Sequence, residues 1–415
     1  MLNPAAAFLP QTQVLAGTIV FLASYVVFAL GKFPGLKIDR TGAAIIGAIA
    51  VVVLRVSRPD EAIRSVDFAT VVLLFAMMLV VGSLKLAGFF EWNAELVLRR
   101  LKPGMLLPAV ILTCGALSAF FVNDIVCLVM VPFVLSLTQK LRLQPLPFLL
   151  AVATSSNIGS VATITGNPQN MLIGSYSGIA YRDFLFHLGP VAVMGLVLDW
   201  LILRWIFSRE LQPSNAVPGA IPLPALDLSR LLKPLLVVSG VVIAFLAGVS
   251  PVLAASVGAA VVLISRSSEP RKLYAEVDWG LLVFFVGLFI IVGGAEKVGL
   301  VDRLLQFTQR WNLHRPGVFT VVTALFSNLV SNVPAVMLLK SLVKNFAEPH
   351  KAWLILAMAS TLAGNLTIAG SVANIIVVES AKPDVHISFW DYFRVGLPIT
   401  VATVVVGALW LAYAG

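Results

Sequence analysis

Charge is scarce in this chain. Asp, Glu, Lys and Arg make up 12% of its 415 residues, against about 25% in an ordinary soluble domain. Apolar residues fill 59%, and a water-soluble fold has no interior large enough to hide them. Cysteine is almost missing: Cys114 and Cys127 both lie in apolar sequence, which excludes a disulfide framework and a C-x-x-C metal site. His187, His314, His350 and His386 are the four histidines, far apart in sequence and without an H-E-x-x-H pair. There is no G-x-x-x-x-G-K-[ST] loop to cradle a nucleotide. A membrane enzyme and a built-in ATPase are therefore not expected, nor is any cofactor or bound metal. The formal charge of +9 comes from basic residues scattered singly through short loops, with no basic stripe or aromatic-interleaved patch, so nucleic acid is not a partner.

What is present is apolar sequence in blocks of membrane length. A bilayer core about 30 Å thick takes about 20 apolar residues per helical span. Ten blocks qualify as crossings, at 14–31, 41–55, 67–86, 146–175, 187–206, 232–248, 251–266, 279–295, 352–378 and 394–413. The first has no basic region before it and no A-x-A-like site after it, so it reads as a retained span. Two more blocks must fold back. Between Lys102 and Lys140 the single charge is Asp124, and a straight helix that long would measure about 55 Å. Its natural bend is Phe121-Val122-Asn123-Asp124, and a re-entrant hairpin over 104–139 fits better than two full crossings. A second hairpin over 316–347 bends at Ser331-Asn332-Val333-Pro334.

These two blocks belong to an internal duplication. Val66-Asp67-Phe68 matches Val277-Asp278-Trp279 at an offset of 211, and Asn123 matches Asn332 at 209. The run from Thr163 to Asn170 matches that from Thr367 to Asn374 at 204, and Tyr181-Arg182-Asp183 with Pro190 matches Trp390-Asp391-Tyr392 with Pro398 at 208. Four matches in order at nearly one offset mark a repeat. Residues 1–206 and 232–415 are the two copies, and 207–231, with Pro213, Pro218, Pro222 and Pro224, is the linker. Each copy has five crossings, one hairpin and one broken helix (146–175 and 352–380). An odd number of crossings turns the second copy upside down. The expected fold is thus an all-α integral membrane protein of two inverted-topology repeats, the plan of secondary transporters. Basic residues divide 17 to 11 between the two sides when Lys85, inside a span, is set aside, which puts the linker in the cytoplasm and both termini outside.

Broken helix at membrane depth is tolerated only where it is buried in protein or lines a cavity. Four Gly-, Pro- or Asn-containing interruptions qualify: the tips at Asn123-Asp124 and Ser331-Asn332, and the breaks at Gly166-Asn167-Pro168-Gln169-Asn170 and Gly370-Ser371-Val372-Ala373-Asn374. Pro168 cannot donate to a helical ladder and Gly166 permits unusual backbone. Unwinding there frees helix N-termini for anionic or partly negative oxygens and carbonyls for cations. Kinks packed on neighbouring helices would explain one such place; a matched set of four points to a site. An ionisable group at membrane depth is by default functional. Asp124 is suited to carry a coupling proton if it is held neutral by burial, or stays ionised beside a resident cation. Its repeat partner is Val333, so one acidic centre is expected, in the first half. Asn157, Thr163 and Thr367 stand among the hydroxyl- and amide-rich segments leading into the breaks. Lys85 reads as a residue snorkelling from a span end, and Cys127 as a small core residue.

Phe121-Val122-Asn123-Asp124-Ile125-Val126, Asn157-Ile158-Gly159-Ser160, Thr165-Gly166-Asn167-Pro168-Gln169-Asn170, Ser331-Asn332-Val333-Pro334 and Gly370-Ser371-Val372-Ala373-Asn374 together resemble the ion transporter superfamily. Within it the chain looks most like the branch of arsenite efflux permeases and sodium/proton antiporters, which is related to dicarboxylate and citrate carriers. Phe89-Phe90-Glu91-Trp92 and Phe389-Trp390-Asp391-Tyr392-Phe393 also resemble arsenite permeases. The resemblance implies a mobile unit of hairpins and broken helices working by an elevator-like motion in a bacterial or archaeal cytoplasmic (inner) membrane. It implies that Asn123, Asp124, Ser331, Asn332, Gly166, Asn167, Pro168, Asn170, Gly370, Ser371 and Asn374 line the central site. The related carboxylate carriers have Ser-Asn-Thr at both tips and use sodium; here the tips read Val-Asn-Asp and Ser-Asn-Val. The expected activity is proton-coupled efflux of arsenite or antimonite. The alternatives are a sodium- or proton-coupled anion carrier and a sodium/proton antiporter, the latter expected to carry more than one carboxylate at membrane depth. A separate ATPase subunit would leave no trace in this sequence.

Overall fold

The computed structural model describes residues 10–30, 38–90, 92–93, 103–211, 228–265, 269–300, 303, 306, 312–382 and 384–413. Glu91 and residues 212–227, most of the expected linker with its four prolines, lie outside them. The helices of the first half are α1 (Gln11–Leu30), α2 (Arg40–Val53), α3 (Pro59–Arg64), α4 (Phe68–Leu86), α5 (Leu106–Phe120), α6 (Asn123–Leu141), α7 (Leu146–Ser160), α8 (Pro168–Ser177) and α9 (Tyr181–Ile206). Those of the second are α10 (Leu228–Leu246), α11 (Pro251–Ile264), α12 (Pro270–Ala275), α13 (Trp279–Lys297), α14 (Pro316–Val330), α15 (Asn332–Val343), α16 (Pro349–Ala363), α17 (Val372–Ala381) and α18 (Phe389–Tyr413). Among the described residues nine helices follow nine in the same order, and α2, α3 and α4 begin 211 residues before α11, α12 and α13.

Packing repeats as well as sequence. Helix α2 lies on α13 while α11 lies on α4, α5 lies on α7 while α14 lies on α16, and the mates α9 and α18 lie on each other. Such reciprocal contacts are what a two-fold relation produces. The protein is an all-α membrane fold of two inverted repeats, each with a hairpin (α5–α6, α14–α15) and a broken helix (α7–α8, α16–α17).

Helices α7 and α16 form the centre. Every residue of α7 from Pro147 to Ser160 is buried, as is every residue of α16 from Leu354 to Ala363, the pattern of a helix surrounded by protein on all sides. The outer helices show large exposed apolar residues at helical spacing, such as Leu15, Ile19, Leu22 and Val26 on α1 and Val193, Val197 and Leu201 on α9. In water such stripes would be costly; against lipid they are the solvent-matched face. Six helices among the described residues have the length and hydropathy of a span, and α6 is one of them. Length misleads there, because α6 starts at a buried tip, where Asn123 N donates to Gly166 O at 3.0 Å. It is the returning leg of the hairpin. The short α3 and α12 were not separable from loops in the apolar pattern; each starts with a proline at its first position, where the missing N–H costs nothing.

Candidate functional site

The first break begins where α7 ends at Ser160 and finishes where Asn167, in extended backbone, caps α8. Asn167 Oδ1 accepts Asn170 N at 2.8 Å, and Pro168 follows at the first helical position. A Cβ on Gly166 would stand 2.2 Å from Ser160 O, so only glycine lets the segment pass this close to the end of α7. Asn170 closes the gap by donating Nδ2 to Ser160 O at 3.1 Å and to Thr163 O at 3.0 Å. Asn374 does the same in the second break, to Gly364 O at 2.7 Å and Thr367 O at 2.9 Å. Each amide replaces the helix partners that two carbonyls lost. Thr163 Oγ1 donates to Ala119 O, tying the first break to α5.

The two breaks are also held crosswise. Asn157 Oδ1 accepts Asn123 Nδ2 and Ser371 Oγ, both at 3.0 Å. Asn157 Nδ2 donates to Asn365 Oδ1 at 2.9 Å and Asn374 Oδ1 at 2.8 Å. One amide of the first half thereby holds the second break. Its mate 204 residues on, Thr361, holds the first: its hydroxyl accepts Asn167 Nδ2 at 3.3 Å and Gln169 Nε2 at 3.2 Å, and it donates to Asn170 Oδ1 at 3.4 Å. At the second tip Ser331 takes a φ of 77°, a left-handed turn that a non-glycine residue adopts at a cost. Asn332, its amide oriented by its surroundings, donates to Gly370 O at 3.0 Å and accepts Gln169 Nε2 at 3.3 Å.

Tips and breaks surround a cavity of about 310 Å³. Of the residues singled out from the sequence, Asn123, Asp124, Pro168, Ser331, Asn332 and Ser371 line it. Asn157, Thr163, Gly166, Asn167, Asn170, Thr367, Gly370 and Asn374 do not; they hold the backbone that presents the lining. The Asp124 carboxyl is half-buried and has no hydrogen bond or ion pair among the described residues, and Asn123 Oδ1 is buried and unpartnered. The rim is made by Asp39, Arg40 and Thr41 at the start of α2 and by Asp278 and Gly280 at the start of α13. Asp39 and Asp278 cap those helices, accepting Gly42 N at 2.8 Å and Leu281 N at 2.9 Å.

Sequence reasoning missed the rim, because its residues sit at loop ends far apart in the chain. Thr361 and Asn365, which the sequence places among the polar residues leading into the second break, bond across to the other half and do not line the cavity. The expectation of a single acidic centre needs correction. Asp199, the one charge between His187 and Arg204, is fully buried in α9, a second carboxyl at membrane depth. Lys85 does not simply snorkel: its Nζ meets Glu276 Oε2 at 2.5 Å. Cys127 Sγ lies 3.0 Å from Ser156 Oγ in the core. Two of the sequence-distant histidines do converge, with His350 Nε2 2.6 Å from Asp183 Oδ2 and His187 Nδ1 3.3 Å from Asp183 Oδ1. Among the described residues no group of three or more His, Cys, Asp or Glu is arranged to hold a metal ion.

Mirrored helix breaks around a polar cavity in a lipid-facing shell define a secondary transporter. The citrate transporter family (CitMHS) matches residues 25–363, and the chain belongs to that family. Among its relatives, the silicon efflux transporter LSI3 of Oryza sativa subsp. japonica is 30% identical, over 97% of this chain and 98% of its own. The putative transporter arsB of Dictyostelium discoideum is 24% identical over 94% and 90%. The solved YdaH transporter of Alcanivorax borkumensis shares the fold with a TM-score of 0.60 at 14% identity, over 97% of this chain and 98% of that one.

Proposed function

We propose that the protein exports small, neutral, hydroxylated metalloid acids, arsenite and antimonite foremost, in exchange for protons. The observation that carries this reading is the chemistry of the cavity: uncharged amides and hydroxyls from both tips and both breaks, with one carboxyl, Asp124, left unpaired among them. A trihydroxy acid offers both donors and acceptors to match the amides and hydroxyls of Asn123, Gln169, Ser331, Asn332 and Ser371 in the lining. The names of two relatives, a silicon efflux transporter and a putative transporter arsB, support this cargo class. Asp124 exchanges the proton, and the hairpins and broken helices move together against the other helices, elevator-fashion, to turn the site from one face to the other. Residues 1–206 and 232–415 are the repeats, and 207–231 is a cytoplasmic linker. With the basic-residue bias read as cytoplasmic, the rim at α2 and α13 faces the cytoplasm, where an export carrier loads.

A second reading is carriage of a citrate-like anion, as the family's description suggests. Arg40 at the rim, whose buried Nε has no partner, favours it. Asp39, Asp124 and Asp278 line the same cavity and oppose a polyanion. Uptake into everted vesicles decides. Arsenite should accumulate under a pH gradient without sodium, and Asp124→Asn should abolish that accumulation. Gradient-driven uptake unchanged in the variant removes the role of Asp124; movement of citrate, or sodium/proton exchange, without arsenite movement removes the cargo.

A further inference from the structure

Helix α9 carries a carboxyl that the cavity does not use. Asp199 is completely buried, and neither of its oxygens has a hydrogen-bond partner among the described residues. The polar side chains within its electrostatic reach come from three helices: Thr154 of α7, Cys114 of α5 and Tyr392 of α18. Thr154 Oγ1 donates to Leu150 O at 2.9 Å, and in that orientation it offers Asp199 an acceptor. A carboxyl is a donor only when it carries a proton. Tyr392 Oη is itself buried and unpartnered. Asp391 and Arg394 flank Tyr392 on α18 and neither is buried. Helices α10 and α16, which also pack on α9, bring only Arg230, Lys233, His350 and Lys351, all near their first turns and none buried. No cation on any of these helices is buried beside Asp199, and an isolated carboxylate in such a place is very costly.

The helices between α9 and the tip at Asp124 carry buried thiols and hydroxyls: Cys114 on α5, Ser155 and Ser156 on α7, and Cys127, 3.0 Å from the Ser156 hydroxyl and one turn after Asp124, on α6. We propose that Asp199 is a second proton-binding site of the carrier, protonated in this conformation, with its proton coupled to each transport cycle alongside that of Asp124. The inference rests on the proton-coupled reading above, and its spectroscopic test does not.

Infrared spectroscopy of the purified protein in lipid, titrated with acid and base, reads the carbonyl stretch of protonated carboxyl groups. A buried acid band should remain in Asp124→Asn and be lost when Asp199→Asn is added to that variant. Absence of the band in Asp124→Asn, or its persistence in the double variant, overturns the proposal. In proteoliposomes Asp199→Asn should keep arsenite exchange at equal pH. Its limiting accumulation should fall by about tenfold per pH unit of gradient, the driving force of one proton, and Asp199→Glu should restore it. Wild-type accumulation in Asp199→Asn also overturns it. If that variant does not fold, the band in Asp124→Asn still decides; if the wild type moves no arsenite, the cargo fails while the infrared result stands.

Discussion

The two breaks were built alike and have come to differ in one respect. Asn170 and Asn374 occupy the same repeat position and do the same work, each donating to the two carbonyls stranded at its own break. Asn157 and Thr361 are likewise mates, each holding the opposite half's break. Of the residues facing the cavity, Asn123 and Asn332 are alike, but others are not: Asp124 pairs with Val333, Pro168 with Val372, and Gln169 with Ala373, which does not line it. Groups that satisfy backbone are kept, because every lost partner leaves a buried carbonyl unpaired. Groups that face the cavity without holding backbone are freer to diverge, and under the proposed function one proton-carrying carboxyl there suffices.

The largest test of this division is to remove the shared amides. Asn170→Ala and Asn374→Ala each strip two buried carbonyls of their donor, at about 1–3 kcal/mol apiece. Both variants should lose several kcal/mol of stability by about the same amount, read as matched falls in melting temperature in detergent. A large loss in one half with none in the other would break the equivalence of the breaks.

A smaller effect should separate the next pair of mates, Asn167 and Ser371. Asn167 caps α8 through Oδ1 and reaches Ser160 and Thr361 through Nδ2, whereas Ser371 makes no side-chain cap and donates to Asn157 across the repeat. Loss of a cap costs about 1 kcal/mol. Asn167→Ala should therefore lower the melting temperature more than Ser371→Ala, while Ser371→Ala, at the cavity wall, should weaken arsenite exchange more. Equal stability losses would show that Ser371 supports its break as Asn167 does.

The duplication, the hairpins and the places of the breaks were legible in the sequence because lipid forbids unpaired backbone, so Gly, Pro and Asn at membrane depth stand out against apolar runs. The division of labour among the polar residues was not. Nothing in the string says that Asn123 lines the cavity while Asn157 stands behind it, since that depends on which way two buried helices are turned. Asp199 was legible as one charge in an apolar run, the same signal that marks Asp124.

The smallest expected difference lies at the ion pairs that tie α4 and α13 to the other repeat. Lys85 meets Glu276 at the end of α4, and Lys297 meets Glu61 at the end of α13. The Lys297 hydrogen bond, with Arg58 N behind it, holds the Glu61 carboxyl below its usual value. A carboxylate depressed on folding adds stability above its unfolded pKa and loses it as the pH falls through the folded one. Glu61→Gln should thus destabilise at neutral pH and become silent in acid. Because the Glu61 side chain is 40% exposed and that of Glu276 20%, screening should keep the Glu61 loss within about 1 kcal/mol, with Glu276→Gln costing more. Thermal melts of both variants across the acid range measure this. A Glu61→Gln loss that persists unchanged in acid would mean its carboxylate contributes nothing through charge.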